Sequence, residues 1–349
     1  SEKNYFGGVT PTGKYIKKDT TYKSKTNFNN GNFVLFVTSQ LNERTSVLSE
    51  LSFNNTGKTF NFEVQRLLVR YYVKDYFSVR VGKMFTPIGY WNNQFTLGLV
   101  LQPTIQRPQA IRPVSEGGVL QYRDAGVQFE GDNITSARLF YRVMVGNGIG
   151  YYGSNDKSDK HVAATGQIGT EPVDGLKILA SAMFDRIEKG KSNPNGSISS
   201  LPNNGNLNLL VASAAYMNPE KKVEFIGEFL HQTSNFDNLG KTSSHSWYVY
   251  GGYKITNKIT PYALFNYTQA GKSTTEADPY FSPLPVKINQ LNLGVRYKFN
   301  SNFICKLEYE INNSQYFYQN IMVGTTKLDD GFTNTAKSNK IRLQLAFAF

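Results

Sequence analysis

The chain is poor in the materials from which disulfide-rich domains, helical membrane proteins and most hydrolases are built. A single cysteine among 349 residues excludes a disulfide framework. No stretch approaches the roughly 18 consecutive apolar residues that a membrane-spanning helix needs, and mean hydropathy is −0.41. There are only three histidines, His161, His231 and His245. Neither a Gly-x-Ser-x-Gly elbow nor a His-Glu-x-x-His metal site occurs. Acids are also short, 26 against 38 Lys and Arg, for a formal charge of +12. The basic residues are scattered singly rather than clustered on one segment, so no nucleic-acid partner is expected. A transmembrane β-barrel survives all these exclusions, because its lipid face is spread over alternate residues and never forms a long apolar run.

What the chain does have is alternation. Its last residues place Ile341, Leu343, Leu345, Phe347 and Phe349 on one parity, with Arg342, Gln344, Ala346 and Ala348 on the other. In a soluble sheet this would be a sticky, unfinished edge. In an outer-membrane barrel it is a closing strand, apolar side chains toward lipid and small or polar ones toward the lumen, with Phe349 at the periplasmic rim as an expected assembly signal. Aromatic residues reach 14%, mostly 22 Tyr and 24 Phe, as interfacial girdles require. Cys305 shares the apolar parity of its strand and reads as a small hydrophobe. The start, Ser1-Glu-Lys-Asn-Tyr, reads as a mature end after removal of a secretory signal.

The alternating segments fall near 32–40, 43–54, 59–73, 75–84, 119–130, 135–146, 160–168, 175–185, 206–217, 221–232, 244–255, 258–269, 286–299, 302–313 and 338–349. A weaker one, 5–20, is interrupted by Pro11 and Lys17-Lys18. Short joints such as Lys74-Asp75, Gly131-Asp132-Asn133 and Asn300-Ser301-Asn302 alternate with long polar ones near 85–118, 147–159, 186–205, 233–243, 270–285 and 314–337. The expectation is one domain, 1–349: an all-β, antiparallel transmembrane barrel of sixteen strands in the bacterial outer membrane, with tight periplasmic turns and long extracellular loops.

Phase then assigns the charges. Lipid-facing arginine costs roughly 2–4 kcal/mol at the bilayer midplane, so Arg80, Arg138, Arg142, Arg296 and Arg342 are placed inside. Glu224, Glu228, Lys306, Glu308 and Glu310 follow the same rule, which makes the interior mixed in charge. In 59–73 the apolar parity switches from Phe60, Phe62 and Val64 to Leu67, Val69, Tyr71 and Val73. A β-bulge near Gln65-Arg66 would repair it and turn both Arg66 and Arg70 inward. The proline-rich connection 85–118 carries Arg107 and Arg112 with no acid before Glu116. It reads either as a constriction folded into the lumen or as an extracellular cap whose arginines meet solvent or lipopolysaccharide phosphates.

Two short motifs carry a resemblance. Tyr76-Phe-Ser-Val-Arg-Val-Gly-Lys-Met-Phe-Thr-Pro-Ile-Gly-Tyr90 holds Val81, Gly82, Pro87 and Gly89 at the spacing Val-Gly-x-x-x-x-Pro-x-Gly, and Arg123-Asp124-Ala125-Gly126-Val127 follows. Both resemble the phosphate-selective porin O/P family, most sharply over 76–130. The resemblance implies a sixteen-stranded barrel, commonly trimeric, with a basic constriction passing anions such as phosphate. Arg80, Lys83 and Arg123 lie in the matched segments, but no lumenal role is carried over by motif. The acids and the aromatic Tyr90-Trp91 depart from strict phosphate selectivity.

The functional expectation is a water-filled, moderately anion-preferring porin, not an enzyme, with no cofactor or metal. Its partners would be outer-membrane lipid, lipopolysaccharide, small anionic solutes, and a homotrimer or other envelope proteins. The competing reading is an anchoring barrel in a larger outer-membrane complex, for which exposed aromatics such as Tyr316-Phe317-Tyr318 could bind a partner. His245 and Ser246 fall on opposite faces of a strand and cannot act as a dyad. Asp329-Asp330-Gly331 lacks the further ligands of a calcium loop and reads as a turn.

Overall fold

A computed structural model describes residues 2–9, 15–22, 28, 31–55, 59–74, 76–95, 99–112, 120–149, 161–189, 203–218, 220–237, 240–270, 287–318, 322–323, 326–327 and 332–349, with backbone alone between 2 and 22 and between 316 and 334. Most of the long connections near 147–159, 186–205 and 270–285 lie outside these residues, as do Pro11, Pro113, Glu116 and Asp329-Asp330-Gly331.

Alternation produces strands almost throughout. In chain order they are β1 (Glu2–Val9), β2 (Tyr15–Tyr22), β3 (Asn32–Asn42), β4 (Thr45–Asn55), β5 (Phe60–Lys74), β6 (Phe77–Phe85), β7 (Arg123–Ile134), β8 (Leu139–Gly146), β9 (Ala163–Val173) and β10 (Leu176–Ile187). They continue as β11 (Gly205–Met217), β12 (Val223–Phe236), β13 (Gly240–Tyr253), β14 (Ile259–Gln269), β15 (Lys287–Lys298), β16 (Phe303–Tyr318), the two-residue β17 (Met322–Val323) and β18 (Thr326–Lys327), and β19 (Phe332–Phe347). From β3 to β16 each strand pairs antiparallel with the next; β16 then pairs with β19, β19 with β1, and β1 with β2.

The segment expected as one weak strand, 5–20, is a hairpin of two, so the sheet has 17 strands rather than sixteen. Its first strand meets β19 through Lys3 and Lys337. Among the described residues β2 and β3 do not pair, and the sheet is not closed. The chain end after β19 reaches the other edge: the rings of Phe33 on β3 and Phe349 stack with centroids 6.1 Å apart.

Several connections are tighter than composition suggests. Ser234 Oγ and Thr242 Oγ1 sit 2.7 Å apart as β12 and β13 run on to Phe236 and Gly240, so most of 233–243 is strand. The expected connection between 168 and 175 is strand up to Val173, and the chain reverses at Asp174-Gly175, where Gly175 has φ +83°. An Asp-Gly pair with positive φ favours a two-residue hairpin turn. Conversely, β7 runs to Ile134 and β8 starts only at Leu139.

The bulge in β5 is where phase put it. Glu50 of β4 faces Arg66 while Leu51 faces Val64, leaving Gln65 unpaired. Its extra residue lets Phe62, Val64, Leu67 and Val69 all point outward. Outward residues align across strands: Val47, Val69, Val81, Val127 and Val145 stand directly opposite one another from β4 to β8. The free Val64 carbonyl beside the bulge is taken by Lys83 Nζ at 2.8 Å.

Deleting Gln65 keeps Phe60, Phe62, Val64, Leu67, Val69, Tyr71 and Val73 together on the outer face, so the variant is expected to fold. Deleting Val69 instead reverses the facing of one half of the strand against the other, which should abolish folding. The heat-modifiable mobility shift of the folded barrel on gels distinguishes the two.

Candidate functional site

The connection after β6 lies against the polar face of the sheet. Gly89, with φ +67°, has no room for a side chain: a Cβ there would stand 2.3 Å from Glu228 Oε2. That approach lets the next two backbone N–H groups, of Tyr90 and Trp91, donate to the Glu228 carboxylate at 2.8 and 2.9 Å. Ser213 Oγ (2.6 Å) and the Tyr248 hydroxyl donate to the same carboxylate, which is buried on β12. A short helix, α1 (Trp91–Phe95), starts there, its Trp91 ring edge-on to Tyr248.

Farther along, Ile105 N–H donates to Glu308 Oε2 (3.1 Å) and Gln109 N–H to Asn266 Oδ1 (3.0 Å). Lys306 Nζ donates to the carbonyls of Leu99 (2.7 Å) and Thr104 (3.3 Å). A segment that leaves between β6 and β7 thus touches β10, β12, β14 and β16, which requires the sheet to curl around it.

Apolar packing reinforces these bonds. Ile88, Trp91, Ile111 and Leu120 form one buried cluster with Leu207, Leu209 and Val211 of β11, Leu230 of β12 and Leu264 of β14. The rule that in-facing positions are polar therefore fails on this side, because β11 is apolar on both faces: Leu210, outward, is exposed while its neighbours are buried. Burial also pushes the Tyr90 phenol up, the Glu171 and Glu228 charges adding to it.

On β5 to β8 the inner face is basic and wetter. Glu130, wholly buried, is the hub of this wall: Arg70 Nη2 lies 2.9 Å away, Arg80 Nε 2.8 Å and Arg142 Nε 3.9 Å. Arg142 also binds Asp132 at 3.0 Å. Two carboxylates, Glu130 and Asp132, among three guanidinium groups still leave a local positive excess, and these arginines keep 21–27% of their side chains exposed. Above them Arg66 pairs with Glu50, and Arg123 with Glu63.

The remaining expected site residues are dispersed. Arg296 is tied to Glu224 at 2.7 Å, and Arg342 to Glu310 at 2.7 Å. Arg107 stacks on the Tyr122 ring at 5.6 Å, and Arg112 Nη2 donates to Gln106 Oε1 at 3.1 Å. Arg138 departs from the expectation. Its strand begins one residue later, it has φ +49°, and it pairs with Asp174 of the neighbouring turn, at the rim and not on the inner wall. The turn over residues 135–138 takes the position that the alternation assigns to a strand. Glu130 was the missed residue; it shares the in-facing parity of Gln128 and stands directly opposite Ser78 and Arg142. Among the described residues no three His, Cys, Asp or Glu side chains are grouped to hold a metal.

No protein-family model matches the chain, and no curated protein does. Solved structures do. The anion-selective porin from Comamonas acidovorans superposes with a TM-score of 0.58 at 10% identity, over 99% of this chain and 96% of that one. The fold is that of an outer-membrane porin. The outer membrane channel DcaP of Acinetobacter baumannii gives 0.57 at 9% identity over 99% and 93%. The trimer form of OmpT, an outer membrane protein of Vibrio cholerae, gives 0.56 at 14% over 98% and 96%. At such identities the likeness is one of fold.

Proposed function

We propose that the chain is a diffusion channel of the Gram-negative outer membrane, water-filled and moderately anion-preferring, with inorganic phosphate among its permeant ions. One observation carries this reading: the acids and bases of the interior are used differently. Glu228 and Glu308 are consumed as acceptors for backbone N–H groups of the inward segment. Arg70, Arg80 and Arg142 share one buried carboxylate and remain partly open to water. A solute on that wall meets net positive charge, which raises the local anion concentration. The apolar cluster fills the β10–β14 side and confines passage to the basic side. The outer face, apolar over most of its height, suits lipid and lipopolysaccharide, and a trimer like the OmpT form fits the same fold.

Planar-bilayer recording in a KCl gradient tests the proposal. The reversal potential should report anion preference, and replacing Arg70 and Arg80 together by alanine, which leaves Glu130 with Arg142 alone, should move it toward cation preference. Pure folded protein without stepwise conductance would reject the channel and favour the anchoring-barrel reading.

A further inference from the structure

Four arginines of the basic wall, though not Arg80, share a second feature. Each guanidinium lies over an aromatic ring: Arg66 over Phe85 (4.6 Å) and Phe36 (5.6 Å), Arg70 over Tyr72 (4.2 Å), Arg142 over Phe140 (5.2 Å), and Arg123 over Tyr122 (4.6 Å). Among the described residues Arg296 and Arg342, on the other side of the interior, carry no such ring. A ring over the guanidinium plane fixes that plane and leaves the in-plane N–H groups as donors.

Phe36 is the open ring among these, while Tyr72, Phe85 and Tyr122 are each partly exposed. Phe36 stands opposite Glu50 on the inner face of β3 and is 52% exposed. An exposed phenyl ring on the polar side of a channel wall gives nothing to chloride or phosphate. It does offer a stacking surface beside an anion-binding edge. The Arg66 contact to Glu50 engages Nε, so its terminal amino groups are the donors left for a solute. Arg66 and Arg70 are four residues apart on one strand, roughly 13 Å; Arg70 gives Nη2 to Glu130 and Nε to Ser78, so it makes a second station with Nη1 as its remaining donor.

We infer that the channel selects planar aromatic carboxylates over inorganic and aliphatic anions, the carboxylate meeting the guanidinium edge while the ring stacks on Phe36 at the upper station and Tyr72 at the lower. The inference rests on the channel reading above. It adds a substrate class to the wall described there.

Block of chloride conductance across planar bilayers by sodium benzoate and by sodium cyclohexanecarboxylate tests it. The two anions match in charge and nearly in size; only benzoate is planar and aromatic, and a merely hydrophobic contact would favour the saturated ring. Benzoate should half-block at a concentration ~3–5-fold lower, the value of one exposed ring contact. Phe36→Leu and Tyr72→Leu should each bring the ratio toward one, and either suffices if the other fails to fold. Equal half-blocking concentrations in the unmodified protein, or a ratio unchanged in both variants, would overturn the inference while an anion-preferring chloride conductance leaves the channel standing. Absence of any conductance removes both.

Discussion

Replacing Glu228 by leucine should unseat the inward segment and enlarge the conducting path. The carboxylate accepts from two backbone N–H groups, one serine and one tyrosine, all buried. Stranding a buried donor costs about 1–3 kcal/mol, so the two backbone groups alone lose about 2–6 kcal/mol of seating. Glu228→Gln should do less, since one oxygen still accepts. Two measurements separate a moved segment from a damaged barrel. Single-channel conductance should rise in the leucine variant and partly in the glutamine one. Chymotrypsin should begin to cut after Trp91 or Phe95 of the segment, which it spares while they are packed inside, while β-sheet circular dichroism stays unchanged. Unaltered conductance with intact protection would mean that Glu308, Lys306 and the apolar cluster hold the segment without it.

Placing an arginine in the valine row should be the most costly single change on the outer face. Val81 is exposed and aligned with Val69 and Val127. Val81→Arg should destabilise the barrel in lipid vesicles by about 2–4 kcal/mol if the row lies at midplane, less toward either rim. Thr38→Arg, on the inner face of β3, should stay within about 0.5 kcal/mol. Equilibrium unfolding by urea in vesicles reads both. Equal costs would mean that the two faces have been assigned wrongly.

Much of this was legible in the sequence because a strand's period of two converts each residue into a facing. The bulge is the clearest case: two incompatible apolar parities in β5 required one extra residue, and Gln65 is that residue. The inner placement of Glu224, Glu228, Lys306, Glu308 and Glu310 followed from the same rule, and all five are buried. Periodicity fails where facing is decided by something distant. Leu207, Leu209 and Leu230 point inward because a segment about a hundred residues earlier covers them, and no local pattern announces that cover. Arg138 failed for the opposite reason, a purely local one: four residues of turn replaced the start of a strand. The pairing of Arg70, Arg80 and Arg142 on Glu130 needs the registers between four strands, which parity alone does not supply.

The grip of Lys306 on Leu99 and Thr104 spans 207 and 202 positions of the chain. Contacts so far apart repay their loop-closure entropy late and slow folding. The inward segment is synthesised between β6 and β7, yet the groups that hold it arrive with β12, β14 and β16. Filling the interior and curling the sheet are therefore one cooperative event, completed only when the last third of the chain is in place. Until then the segment's amides have water for partners, so a truncated or stalled chain would present its basic wall unobstructed. Assembly order, not only the finished geometry, decides when this passage becomes narrow.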